Sequence, residues 1–300
     1  MIESLTTVRQ LMEDVMLRLC SENEINTYVD FAYELASDLT KSSYPTYCDG
    51  IKTKEMFVQR AIKAFERKNE EILLFLHDGN VRGLIHYFWL PEDRYLETIG
   101  FHISKGTEQA LSEFLTYIAE RFKGYDVYFG FPVENEPAVR FLAEQGFECI
   151  TNNYNNTAFL DRLDILPENC GIVEIGRENY KSFQTLHRQP EEEMYFTSER
   201  IFEDLDNWHI FVKLTDSEPQ SAVYYKKLDD GWFEIFGIDM IDGKYDPKQF
   251  KELLNAALFD AKRRGGRFMT FFCEKEYEEA ALACGFTCMD NYLCYKARLE

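Results

Sequence analysis

The chain has 300 residues, 45% of them hydrophobic, and 53 acidic against 33 basic side chains give it a formal net charge of −20. That length can bury one large core or two of ordinary size, and two is the better expectation. So acidic a surface repels phosphate backbones and anionic headgroups, which argues against nucleic acid and membrane partners, and no run of about 18 apolar residues offers a membrane span. The eight cysteines are scattered with no C-x-x-C, and the five histidines show no H-x-x-x-H spacing. Buried thiols in a reducing compartment, a cytoplasmic address and no metal site are therefore expected.

In chain order, "MIESLTTVRQLMEDVMLRLC" carries acids inside its apolar spacing, unlike a signal peptide. About seventy residues of largely helical pattern follow, with Ile25, Val29, Ala32, Leu35 and Leu39 on one face and Phe57, Ala61, Ala64 and Phe65 on another. No opening strand is evident there. "ILLFL" (72–76), the tight turn "HDGN", "GLIHYF" (83–88), "PEDR" and "ETIGFHI" (97–103) predict three antiparallel strands. A helix over 107–122, a buried strand "DVYFGF" and the short helix of "NEPAVRFLAEQGF" (135–147) come next. Asn135 is a good N-cap, Pro137 sits in the first turn where its missing N–H costs nothing, and Gly146 is a stop.

"DRLDILPENCG" (161–171) interrupts the pattern and predicts a boundary, giving domains 1–163 and 164–300. The elements then repeat. "IFVKL" (210–214), "SAVYYK" (221–226) and "EIFGIDM" (234–240) lie opposite the first three strands at offsets of 137 to 138 residues, and "GFTC" (285–288) lies opposite "GFEC" (146–149) at 139. Four matches in one order and register indicate a duplicated domain. "GIVEIG" (171–176) opens the second half. Its main helix, 247–264, has Asp246 as N-cap and Pro247 at the first helical position, and the basic "KRRGGR" (262–267) reads as a helix C-terminus opposing the dipole.

A three-strand meander, helix, parallel strand, short helix beginning near Asn and closing Gly-Phe strand resembles the GNAT acyltransferase fold, and "NEPAVRFLAEQGF" is similar to that superfamily's C-terminal motif. The resemblance covers both halves. It implies an α/β chain with mixed sheets, two tandem GNAT-like acyl-CoA N-acyltransferase domains, the first with a helical extension. It also implies acetyl-CoA as cofactor, a small-molecule amine as substrate and direct amine attack on the thioester without a covalent enzyme intermediate.

Three chemical parts of that family can be sought residue by residue. The pyrophosphate loop would receive its anion on bare amides at a helix N-terminus. In the first half Lys105 and Gly106 fit, but Glu108 stands where Gly is expected; in the second, Gly243, Lys244 and Lys248 remain, while Pro247 removes an amide. Asn135 completes the candidate cofactor residues. The general base would be a Glu on the fourth strand, Glu97 or Glu234. The general acid, commonly a Tyr seven residues after the Asn, falls on Leu142 in the first half and on Ala281 in the second, with Tyr277 one turn early and read as a packed aromatic. His102 and Asp239 occupy matching strand positions. The aromatic, charged stretch 180–200 resembles the region that shapes the acceptor pocket.

Two further readings compete with acyl transfer. Glu108 and Pro247 damage the pyrophosphate loops of the two halves and Leu142 replaces the general acid, as in a pseudo-acetyltransferase that binds a small molecule or protein without turnover. Tandem GNAT-like aminoacyltransferases that use tRNA would explain the missing loop, but a charge of −20 opposes binding a polyanion.

Overall fold

In a computed structural model the described residues are 15–164, 171–188, 195–229 and 231–300; residues 1–14, the centre of the expected boundary (165–170) and part of the 180–200 stretch (189–194) lie outside them. The chain divides into two compact units, one of Met1–Asn152 with Asn291–Glu300 and one of Asn153–Asp290.

The first unit is built on the strand order β1 (Val15–Leu19), β2 (Glu70–His77), β3 (Asn80–Leu90), β4 (Tyr95–Ile103), β5 (Asp126–Pro132) and the end of β12 (Thr287–Arg298). All neighbours are antiparallel except β4 and β5. Helices α1 (Glu22–Ala36) and α2 (Lys54–Ala64) pack Ile25, Val29, Phe57 and Ala61 against one face. Helices α3 (Thr107–Ala119) and α4 (Glu136–Glu144) bury Leu111, Phe114, Ala138 and Leu142 on the other, against Phe101, Phe129 and Phe131. The helical stripes read from the sequence are thus the inner faces of a three-layer unit. β1 supplies the opening strand that the sequence did not reveal, since "VMLRL" has no alternation to separate it from helix.

The second unit repeats this plan with β6 (Glu148–Phe159), β11 (Phe268–Cys273), β10 (Trp232–Met240), β9 (Glu218–Asp229), β8 (Trp208–Thr215) and β7 (Ile172–Glu174), where only β10 and β11 run parallel among the pairings of residues 153–290. Helices α5 (Lys181–His187) and α6 (Ser198–Glu203) cover one face, and α7 (Pro247–Arg263) and α8 (Lys275–Ala283) the other. Asp246 caps α7 as expected, and Arg263 and Arg264 at its end clasp Asp260.

Both hairpin turns follow from their residues. Asp78-Gly79 and Asp216-Ser217 have positive φ at both positions (50° and 68°; 51° and 69°), the type I′ geometry whose twist matches antiparallel strands. The closing strands differ from a linear cut at 163/164: β12, late in the chain, pairs with β5, and β6, which follows α4, pairs with β11. Each unit takes its last strand from the other half of the sequence. The two Gly-Phe strands are near-equivalents, so either could close either sheet, and periodicity alone cannot distinguish the arrangements.

Candidate ligand cleft

The repeated E-x-x-G motif has a structural cause. Tyr87 pairs with Thr98 and His86 with Gly100, leaving Ile99 as a bulge; Tyr225 pairs with Ile235 and Tyr224 with Gly237, leaving Phe236 as a bulge. A Cβ on Gly100 would lie 2.7 Å from the His102 ring, and one on Gly237 only 2.1 Å from the Tyr224 hydroxyl. Glycine is required where the bulged strand turns onto its neighbour. Parallel pairing then ends, at Glu97 with Tyr128 in one unit and at Ile235 with Phe271 in the other, and the strands splay.

In the first unit that splay is filled by the chain itself. Ile103 N donates to Lys41 O (3.0 Å), Phe101 N to Ser43 Oγ (2.6 Å), and Tyr44 N to Gly130 O (2.9 Å), so residues 41–44 bridge β4 and β5. Ser42, Ser43 and Thr46 are fully buried. The Tyr44 ring meets Tyr292 edge-on at 4.5 Å, and Tyr292 lies where a Cβ on Gly130 would go. Asn135 belongs to this plug: its Nδ2 donates to Ser42 O (2.9 Å), and it makes no side-chain cap to α4, unlike the N-cap expected. His102 is sealed beneath, its pKa pushed down to about 3 by burial and by neighbouring His86.

Outside the plug an open hollow of about 680 Å³ is lined by Lys41, Lys105, Gly106, Glu108, Glu134 and Arg140. Lys105 and Gly106 therefore share a site, with Gly106 in the left-handed region (φ 80°) as N-cap of α3. Glu108 projects from the first turn and pairs with Arg140, which consumes a cation that an anionic ligand would need.

In the second unit the splay is open. A cleft of about 590 Å³ has the bulge and outer end of β10 (Phe236 to Met240) on one side and Phe271 to Glu274 on the other, with Tyr245 and Phe250 below. Tyr277 also lines it, stacked on Phe250 (4.9 Å, 14° between planes) and edge-on to Tyr245. It is thus both the packed aromatic expected and a cleft residue. Asp239, Asp242 and Glu274 are the charged side chains of this wall; no Lys or Arg lines it among the described residues.

The candidate cofactor residues of this half separate. Gly243 lines the mouth, whereas Lys244 and Lys248 do not, and Lys248 lies 3.9 Å from Glu252. The amides of Lys248 and Gln249 at the start of α7 donate to Asp246 Oδ1 (2.9 and 3.2 Å), so a carboxylate already occupies the anion position. Backbone donation from Gln249 first, and then its side chain and Lys248, holds the Asp246 pKa below the usual range.

The two candidate bases sit elsewhere. Glu234 Oε2 accepts from Thr270 Oγ1 at 3.4 Å and is not part of the cleft wall. Glu97 accepts from the Tyr95 hydroxyl; burial raises its pKa and that hydrogen bond opposes the rise. Asp239, by contrast, faces the cleft with Oδ2 2.8 Å from His187 Nδ1, while His187 Nε2 lies 2.7 Å from Phe196 O. The sequence placed Asp239 opposite His102 but gave no sign of its partner 52 residues away. No group of three His, Cys, Asp or Glu among the described residues could hold a metal ion, and no helix there is long and apolar enough to cross a membrane.

No protein-family profile matches the sequence, and no curated protein does. Solved structures are similar nonetheless. A GCN5-related N-acetyltransferase from Sphaerobacter thermophilus superposes with a TM-score of 0.64 at 14% identity, over 95% of this chain and 96% of that one. A tandem GNAT protein from the clavulanic acid biosynthesis pathway gives 0.57 at 11%, over 96% and 99%. The fold is a tandem GNAT fold. A GCN5-related glucosamine N-acetyltransferase region of a fungal multi-domain GH3 β-N-acetylglucosaminidase gives 0.61 at 9%, over 94% of this chain and 38% of that one. At these identities the likeness concerns the fold, and the tandem organisation anticipated from the repeat is the point it supports.

Proposed function

We propose that this GNAT-fold chain is a thioester-dependent N-acyltransferase whose working cleft lies in the second unit, with the first unit as scaffold. The observation that carries the reading is that the splay is open in one unit and filled by its own chain in the other. The filling segment also shows what a splay accepts. Residues 41–44 are a chain segment whose amide groups bond to Ile103 and Gly130, and the pantetheine arm of acetyl-CoA is likewise a chain that carries amides. Ile238 and Met240 stand in the second unit where Phe101 and Ile103 stand in the first.

Bound there, the thioester would supply an activated acyl carbonyl. The chain's own part is to exclude water with Phe236, Phe250 and Phe271, to orient the acceptor amine, and to offer the Tyr277 hydroxyl as a proton donor within the cleft. The amine attacks directly, its proton leaves to a carboxylate or to water, and no nucleophilic side chain is consumed. The pyrophosphate end fits less well, because Asp246 holds the α7 amides and neither Lys244 nor Lys248 lines the cleft.

That last feature favours a second reading, a binding module that holds an amine without turnover. Calorimetry with acetyl-CoA and an assay of thiol release over an amine panel decide between them. Saturable acetyl-CoA binding with amine-dependent release, reduced at least tenfold in kcat by Tyr277→Phe, is expected from the transferase. No heat at millimolar acetyl-CoA rejects it and leaves the binding module.

A further inference from the structure

We propose that Asp239 is the anchoring carboxylate for a hydrogen-bond-donating cationic ligand in the second unit's cleft, and that His187 is the positioning residue that fixes it. The inference rests on that cleft being the working one, though not on any acyl donor. Asp239 lines the cleft, yet its side chain is only 6% exposed. Oδ2 is engaged by His187, and Oδ1 has no hydrogen-bond partner among the described residues.

Proton bookkeeping at His187 is strict. Phe196 O can only accept, so Nε2 carries a hydrogen. Nδ1 then faces Oδ2 at 2.8 Å, and two lone pairs cannot share that distance. One proton therefore lies between them, and the pair as a whole is neutral. The imidazole cannot turn away to release it: the ring is fully buried, stacked on Phe183 at 4.8 Å and edge-on to Tyr224 at 5.0 Å. Asp239 is thus clamped in one rotamer with Oδ1 left for a ligand.

The surrounding charge selects the ligand's sign. Asp242 and Glu274 add two exposed carboxylates to the cleft wall, and the neutral pair does not offset them. Phe236, Tyr245, Phe250 and Phe271 supply aromatic walls for an apolar body and for cation–π contact. Among the described residues, the groups packed around Asp239 include His187 from α5, the Tyr224 ring from β9 and, behind the imidazole, the Phe196 carbonyl.

The test uses phenethylamine, with phenylacetate and 2-phenylethanol as anionic and neutral controls, in calorimetry without acetyl-CoA, alongside nitrogen NMR of the histidine rings. The expected result is saturable binding of phenethylamine at least tenfold tighter than either control. It should weaken at least tenfold in Asp239→Asn, whose amide can still donate to His187 Nδ1 and so preserves folding. Binding should also move both His187 ring nitrogen resonances in the wild type. Absence of binding at 10 mM, equal binding in Asp239→Asn, or unmoved His187 resonances would each overturn the proposal. Failure of acetyl-CoA to bind would leave it standing, since only the transferase reading needs that donor.

Discussion

Asp290 offers a direct measurement of what burial costs in this fold. It is 5% exposed at the end of the second unit's chain segment, 3.4 Å from Asn155 Nδ2, and burial pushes its pKa from 3.8 up to about 7. At about 1.4 kcal/mol per tenfold change in a proton equilibrium, that displacement means the ionised carboxylate costs the native state roughly 4 kcal/mol. The folded pKa lies above the unfolded one, so this group's contribution is fully present below about pH 4 and is lost as the pH rises through about 7. Asp290→Asn keeps the shape and removes the charge. Urea midpoints for both proteins at pH 5, 6, 7 and 8 should show the variant gaining on the wild type across this range and levelling off above pH 7. His86, His102 and His209, whose pKa values are lowered by burial, affect both proteins alike and cancel in the difference. A stability difference that stays constant within about 0.5 kcal/mol over that range would refute the reasoning.

Other consequences can be read in the same way. Gly237→Ala puts a Cβ 2.1 Å from the Tyr224 hydroxyl and should destabilise by about 1–3 kcal/mol, seen as a lower urea midpoint. Ser43→Ala removes the acceptor for the buried Phe101 N–H and should cost about 1–3 kcal/mol of stability while leaving phenethylamine binding in the second unit unchanged by calorimetry. Asp260 is 2% exposed; burial alone would raise its pKa, but hydrogen bonds from Arg264, Tyr225 and Arg263 hold it below the usual carboxylate range. Its contribution is present above the unfolded value and lost as the pH falls through the lowered one, so Asp260→Asn should flatten the acid limb of the stability profile.

Much of the frame was legible because it is written locally. The I′ turns are set by Asp-Gly and Asp-Ser, α7 by Asp246 and Pro247, and the duplication by a repeated strand motif. The closing-strand exchange was not, because β6 and β12 follow equivalent Gly-Phe signals and their partners are chosen by tertiary pairing. Nor was the plug: "KSSYPT" lies inside the stretch read as largely helical, and its burial depends on amides of β4 and β5 more than fifty residues away. The His187–Asp239 pair escaped for the same reason, each residue alone being compatible with a polar strand or a helix end.

The glutamates of the repeated E-x-x-G show how one recurring signal can have a backbone cause as well as a chemical one. Glu97 and Glu234 recur because the motif they begin recurs, and the motif recurs because Gly100 and Gly237 sit after the bulges that open the splay. A backbone requirement therefore preserves the pattern in both halves whether or not either carboxylate meets a ligand. What separates the halves is the position two residues past the glycine. His102 lies neutral beneath a plug of its own chain, while Asp239 faces an open cleft with its orientation fixed from behind. The duplication supplied two equivalent openings, one bridged by residues 41–44 and the other left open.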